Sequence, residues 1–256
     1  MRTAPALRLP SETNNVCQIK FELFHLSTTE LDALTTTQLG GLSATQLGAL
    51  TTTQLGRLDT TTEIGALTTT QLGGLTATEI GALTTTQLSG LNATQLGALT
   101  TTQIGGLTTT ELATLTTTQI GGLTATELRG LSTTQVGGLT TTELSALTTT
   151  QIGGLSGTNL GTLSTTQLGA LTTTQIGALT TTQIGGFTTT EIGALTTTQI
   201  GGLTTSGISS MSVADVQALS TTEIGAMTST QGLAFTSTQI QGMSNAQISE
   251  LFVITG

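Results

Sequence analysis

Leu171–Ala178 reads LTTTQIGA, and Leu34–Gly41 reads LTTTQLGG. These octads decide the fold, because the chain from Leu26 to Glu250 is about 28 consecutive copies of one pattern, L-T-T-T-Q/E-I/L-G-A/G. The unit that begins at Leu58 carries one extra residue. Variation between copies says what each position does. Position two is almost always Thr, and where it changes it becomes Ser (Ser27, Ser43, Ser132), Asp (Asp59) or Asn (Asn92). Those are the helix N-cap residues, short side chains whose oxygen accepts from an orphan backbone N–H of the first turn. Three residues later stands Gln or Glu, with Asn159 and Asp215 as variants. Thr-x-x-Gln/Glu is a capping box, in which the fifth residue reaches back to the cap's own N–H. Leu before the cap and Ile or Leu after the box stand where a hydrophobic staple needs them. Gly at position seven, with Gly or Ala at eight, ends the turn and lets neighbouring backbones approach. Each octad therefore predicts a capped helix of one to two turns.

One continuous helix is excluded. Eight residues overshoot two turns of 3.6, so the apolar stripe would wind around the cylinder. A β-solenoid is the structural alternative, since Thr and Ile favour strands. Against it, Leu at position one and Ile at six have opposite parity, so a straight strand cannot point both inward. Stacked strands would also hold glutamates about 4.8 Å apart with no Lys between them.

A second period underlies the first. Glu63, Glu79, Glu111, Glu127, Glu143, Glu191 and Glu223 all fall in one of two alternating classes of octad. Small residues at position three (Ala44, Ala77, Ala93, Ala125, Gly157) share that class, and so does the G-A ending. The other class carries Gln71, Gln87, Gln103, Gln119, Gln135 and Gln151 and prefers G-G. The alternation predicts an all-α solenoid in which octads pair into sixteen-residue coils with two unlike sides. The chain then divides into a non-repeat segment, residues 1–25, suited to cap the first coil; a regular array, residues 26–202; and a degenerate end, residues 203–256. In that end Gly207 replaces the box residue, and Met211, Met227, Phe235 and Met243 replace Leu. MSVADVQAL and MSNAQISEL there are the most plainly helical segments.

Composition bounds the chemistry. Aromatics are 2 % and charged residues 7 % of the 256 residues, so an ordinary globular core and an ordinary charged surface are both missing. The net charge of −9 reflects scarce bases; after Phe21 they are His25, Arg57 and Arg129. A phosphate-binding surface needs clustered Lys and Arg, so nucleic acid is not an expected partner. Nothing is long and apolar enough to insert in a membrane, and the first residues do not read as a signal peptide. Cys17 and His25 are the single thiol and the single imidazole, and local packing suits them better than catalysis or metal binding. The expectation is a chain with no catalytic, metal or cofactor site, and not an enzyme. The box glutamates are expected to be occupied by capping rather than to form a cation stripe. Threonines at positions three and four should form a regular lattice of hydroxyl and methyl groups along the rod.

Laid out in octads, the chain resembles the LTTTQIGALTTTQ tracts of very long bacterial surface or secreted proteins, often labelled adhesin-like, beta-strand-repeat or heme-utilisation proteins. The resemblance implies an extracellular or cell-surface spacer or adhesive stalk, with a surface glycan or further repeats as partner. The heme label finds no support in a chain with one histidine, and the β-strand label conflicts with the caps. A threonine face for ice or a repetitive glycan is the alternative function. A far-ultraviolet circular dichroism spectrum of residues 26–250 is expected to be helical; a β spectrum would overturn the capping-box reading.

Overall fold

A computed structural model describes Leu31 and residues 34–256. The expected N-terminal cap, residues 1–25, with Cys17 and His25, lies outside the described residues. From Leu34 onward each octad folds as one short helix, usually of four residues (Ala77–Ile80) to six (Thr117–Gly122). The caps form as the pattern requires. At Thr100, extended at φ −77° and ψ 159°, the hydroxyl accepts from Gln103 N–H at 3.2 Å. Thr100 N–H in turn donates to Gln103 Oε1 at 2.8 Å. Ser43, Asn92 and Ser132 form the same reciprocal pair. Thr204 still caps its helix where Gly207 has removed the returning side chain. No strand occurs among the described residues, so the β-solenoid alternative is set aside.

Many helices end with glycine as the C-cap, as at Gly48 and Gly81. No glycine among the described residues has positive φ, so the glycines do not end helices by the left-handed route. Gly41, for instance, stays right-handed at φ −78°. The helix tightens instead. The next Leu N–H bonds the position-six carbonyl three residues back, as Leu83 does to Ile80 at 3.2 Å. The chain then turns extended at that Leu, as at Leu123 (φ −67°, ψ 138°), and the next cap follows. The extra residue of the unit at Leu58 is absorbed inside its helix. Thr60–Ile64 forms a single π turn, closed by Ile64 N–H to Asp59 C=O at 3.0 Å.

The coil is three octads, not two. Thr117–Gly122 packs on Ala93–Leu96 behind it and on Thr141–Ala146 ahead of it, each three helices away. The same spacing relates Thr173–Gly177 to Thr197–Gly202, and Thr221–Gly225 to Asn245–Thr255. The pairing into sixteen-residue coils is therefore corrected. Helices of about 6 Å on two opposed sides would leave no interior for two large aliphatic side chains per octad. Three sides enclose one. Leu at position one and Leu, Ile or Val at position six both point inward, and they form one continuous buried column from Leu31 to Leu251.

The two-octad alternation then finds its cause in stacking. A three-octad coil sets each unit against units of the opposite class. Position three of one class meets position eight of the other, one coil later. The small pairs match: Ala44 with Gly74, Ala77 with Gly106, Ala93 with Gly122, Gly157 with Gly186. A Cβ on Gly122 would stand 2.1 Å from Ala93 O, while one on Gly121 would meet nothing within 4 Å. Gly122→Ala should thus lower stability by about 1–3 kcal/mol through forced separation of the coils. Gly121→Ala, one residue away, should raise it by up to about 1 kcal/mol through helix propensity. Thermal unfolding of the two variants checks both signs.

Candidate functional site

The polar side chains with the most contacts are inside the stack. Gln103, 3 % exposed, accepts the Thr100 cap through Oε1 and donates through Nε2 to Leu72 O at 2.8 Å and Leu75 O at 2.7 Å. Those carbonyls lie at the joint between the fourth and third octads back, where a helix has ended and the extended Leu begins. One carboxamide therefore completes its own cap and ties it to the preceding coil. Gln71, Gln87, Gln119, Gln151, Gln183 and Gln199 repeat the arrangement. Past the π turn the reach shortens from 32 and 29 residues to 31 and 28, which measures the inserted residue directly. Asn159, one methylene shorter, reaches only Leu131 O.

The cap half of this arrangement follows from the octad; the crosslink to the previous coil does not. The signal that could have found it is the abundance of Gln where Glu caps equally well. A carboxamide offers an acceptor to the cap and donors to the joint together, whereas an ionised carboxylate offers only acceptors.

The glutamates take the same position without the second half. Glu111, Glu127 and Glu223 accept from their cap N–H at 2.5–2.6 Å and are buried. They form no exposed acidic stripe. Glu143 is the extreme, 2 % exposed, with Oε2 on Thr140 N–H and hydroxyl and Oε1 buried without a partner. Burial pushes the Glu143 carboxyl up, and the two hydrogen bonds from Thr140 pull against that rise. Asp59 takes the cap position of the π turn without a side-chain cap bond, and its Oδ2 accepts from Thr62 Oγ1 at 3.1 Å. No group of three or more His, Cys, Asp or Glu converges among the described residues.

The surface belongs to threonine. Positions two and four are exposed, as at Thr116 and Thr118, so cap threonines join the lattice expected at positions three and four. Position three is partly covered where the next coil lies on it, as at Thr101 beneath Gly130. Between coils run shallow open grooves, one of them lined by Thr108, Thr109, Gly130, Ser132 and Thr134. No described helix is long and apolar enough to cross a membrane.

A family model described as the ALTTAQ repeat matches at residues 24–60, 79–109, 126–157, 158–189 and 177–205, together more than half of the chain. No curated protein matches it.

Gln119→Met keeps the side chain's length and deletes its cap bond and both bonds to Leu88 and Leu91. At about 1–3 kcal/mol per buried polar group left unpaired, it should cost at least about 2 kcal/mol. Thr118→Ala on the exposed lattice should stay within about 0.5 kcal/mol. Circular dichroism melts of both variants measure the contrast.

Proposed function

Because the chain belongs to the ALTTAQ repeat family and stacks without a break from Leu34 to Thr255, we propose that it works as a structural spacer. It is an extended stalk carried outside the cell or at a bacterial cell surface, within an adhesin-like assembly. The observation that carries the reading is that each coil repeats the contacts of the one before it, so added octads add length and no new site. Such a column supplies distance and stiffness, as solenoids with nearest-neighbour contacts do. On this reading the chain is not an enzyme, and its natural neighbours in the stack are further repeats of the same kind. Among the described residues the surface carries few charges, which fits a rod that passes other macromolecules without sticking to them.

A second reading rests on the exposed threonines at positions two and four. They place hydroxyl and methyl groups at a fixed interval along the sides of the column, as a binder of ice or of a repetitive glycan would. Thermal-hysteresis assays and glycan arrays separate the two, since a spacer is silent in both. A binder would lose its signal when exposed threonines such as Thr118, Thr134 and Thr150 become Lys.

The spacer reading is tested by length. Six octads are the smallest block that preserves both the three-octad coil and the two-octad alternation. Deleting residues 107–154 should give a stable chain shorter by two coils, about 16–20 Å at the usual helix spacing. Deleting residues 123–130 alone sets like classes against each other and should lower the melting temperature sharply. Small-angle scattering gives the lengths; an unchanged maximum dimension after the long deletion would overturn the spacer.

A further inference from the structure

Glu143 and Glu191 hold the box position at 2 % and 4 % exposure, and in each the Oε1 atom is buried without a partner. Their Oε2 atoms are committed to the caps at Thr140 and Thr188. Oε1 takes the place where a box glutamine carries Nε2. In the octads on either side, Gln135 and Gln151 send Nε2 to Leu107 O and Leu123 O, both at 2.7 Å. They also reach Ile104 O at 3.2 Å and Ile120 O at 2.9 Å. The same register sets Glu143 against Leu112 and Leu115, and Glu191 against Leu160 and Leu163. Leu112 O already accepts from Leu115 N–H, and Leu160 O from Leu163 N–H, both at 3.1 Å. That leaves Leu115 O and Leu163 O as the acceptors awaiting a donor. An ionised carboxylate has none to give. It would set a negative oxygen against a carbonyl in a dry joint.

We propose that Glu143 is held there as the neutral acid, its Oε1 hydroxyl donating to Leu115 O, so that acid tightens this joint between coils and rising pH loosens it. The proton moves between solvent and Oε1; no other bond changes. The joint suits a shared proton rather than a metal. Gln Nε2 sits 2.7 Å from the equivalent carbonyl, whereas a calcium ion at about 2.3–2.6 Å from each oxygen would spread the two oxygens well beyond that. Among the described residues, the helices packed on that of Glu143 bring no cation to the carboxyl. Its helix, Thr141–Ala146, packs on Thr117–Gly122 and Thr165–Gly169, and neither carries a charged residue. The helix at the joint, Thr109–Leu112, adds only the acid Glu111, committed to its own cap at Thr108. Glu191 repeats the geometry two coils later, beneath Val213–Ala218, whose Asp215 is bonded to Ser212.

Desolvation, which pushes Glu143 up, works in the same direction. With the folded value above the unfolded one, the folded chain binds more protons. Its contribution is full below the unfolded value and is lost as pH rises through the folded value.

The test is the melting temperature of the full chain and of E143Q at about pH 3 and about pH 8, on either side of the unperturbed range for Glu. E143Q supplies a permanent donor. It should leave the acid midpoint unchanged and raise the alkaline one by about 2–4 °C. A protonated-carboxyl C=O stretch should persist in the infrared spectrum above the unperturbed range for Glu and be lost in E143Q, a readout independent of stability. A variant no more stable than wild type at about pH 8, with no such band in wild type, would overturn the proposal. So would calcium chloride that raises the alkaline midpoint of wild type but not of E143Q, because the joint would then hold a cation.

Discussion

The structure depends on one carboxamide placed between two coils. Helices of four to six residues cannot hold themselves together in water, where isolated helices shorter than about 12 residues are marginal. Each also leaves orphan N–H and C=O groups at both ends. The box glutamine resolves both problems. Its oxygen completes the cap of its own helix, and its nitrogen takes the open Leu75 carbonyl of the preceding coil and shares that of Leu72, which also accepts from Leu75 N–H. The backbone of a chain that breaks its helix every eight residues is thereby satisfied within a dry interior. Leu and Ile supply the bulk of that interior, but aliphatic side chains alone would not choose one register over another. The carboxamide does.

Two periods that do not divide each other complete the design. The octads alternate in composition every two units, and the coil closes every three. A given unit thus always rests on its opposite class, with small residues at position three nested under Gly at position eight. The same mismatch places most box glutamates between glutamine units above and below. Glu143, for example, stands between the units of Gln119 and Gln167. Buried acids of one column are then two coils apart. The exception is Asp215 over Glu191, where the shorter side chain stays on its own cap. An array of buried carboxyls with almost no bases is tolerable because its members rarely meet.

The outside is as uniform as the inside. Exposed threonines, few charges and shallow grooves repeat along the column. A break in that uniformity comes at the last coil. Asn245–Thr255 runs to eleven residues, lies across Ser229–Gly232 as well as its regular partner, and carries Phe252 and Val253 on its open side. With Leu233 they are large hydrophobic side chains left 70–75 % exposed on one end of the rod.

The octad by itself determined the local structure. Thr, Ser or Asn at position two with Gln or Glu at five specified a capped helix, because both partners of the box lie within four residues. The aliphatic positions determined which side chains would be buried. The tertiary structure alone decided how many octads make a coil, because that depends on how three short helices enclose a column of side chains. It also decided what the glycines are for. Gly122 read both as a helix terminator and as a place of close backbone approach; the closed coil supplies the neighbour, Ala93, 29 residues away, against right-handed backbone. The alternation of Gln and Glu was visible, but its meaning was not. Whether a carboxamide is required or a carboxyl is left with an orphaned oxygen depends on a carbonyl 28 residues earlier, which only the closed coil brings within reach.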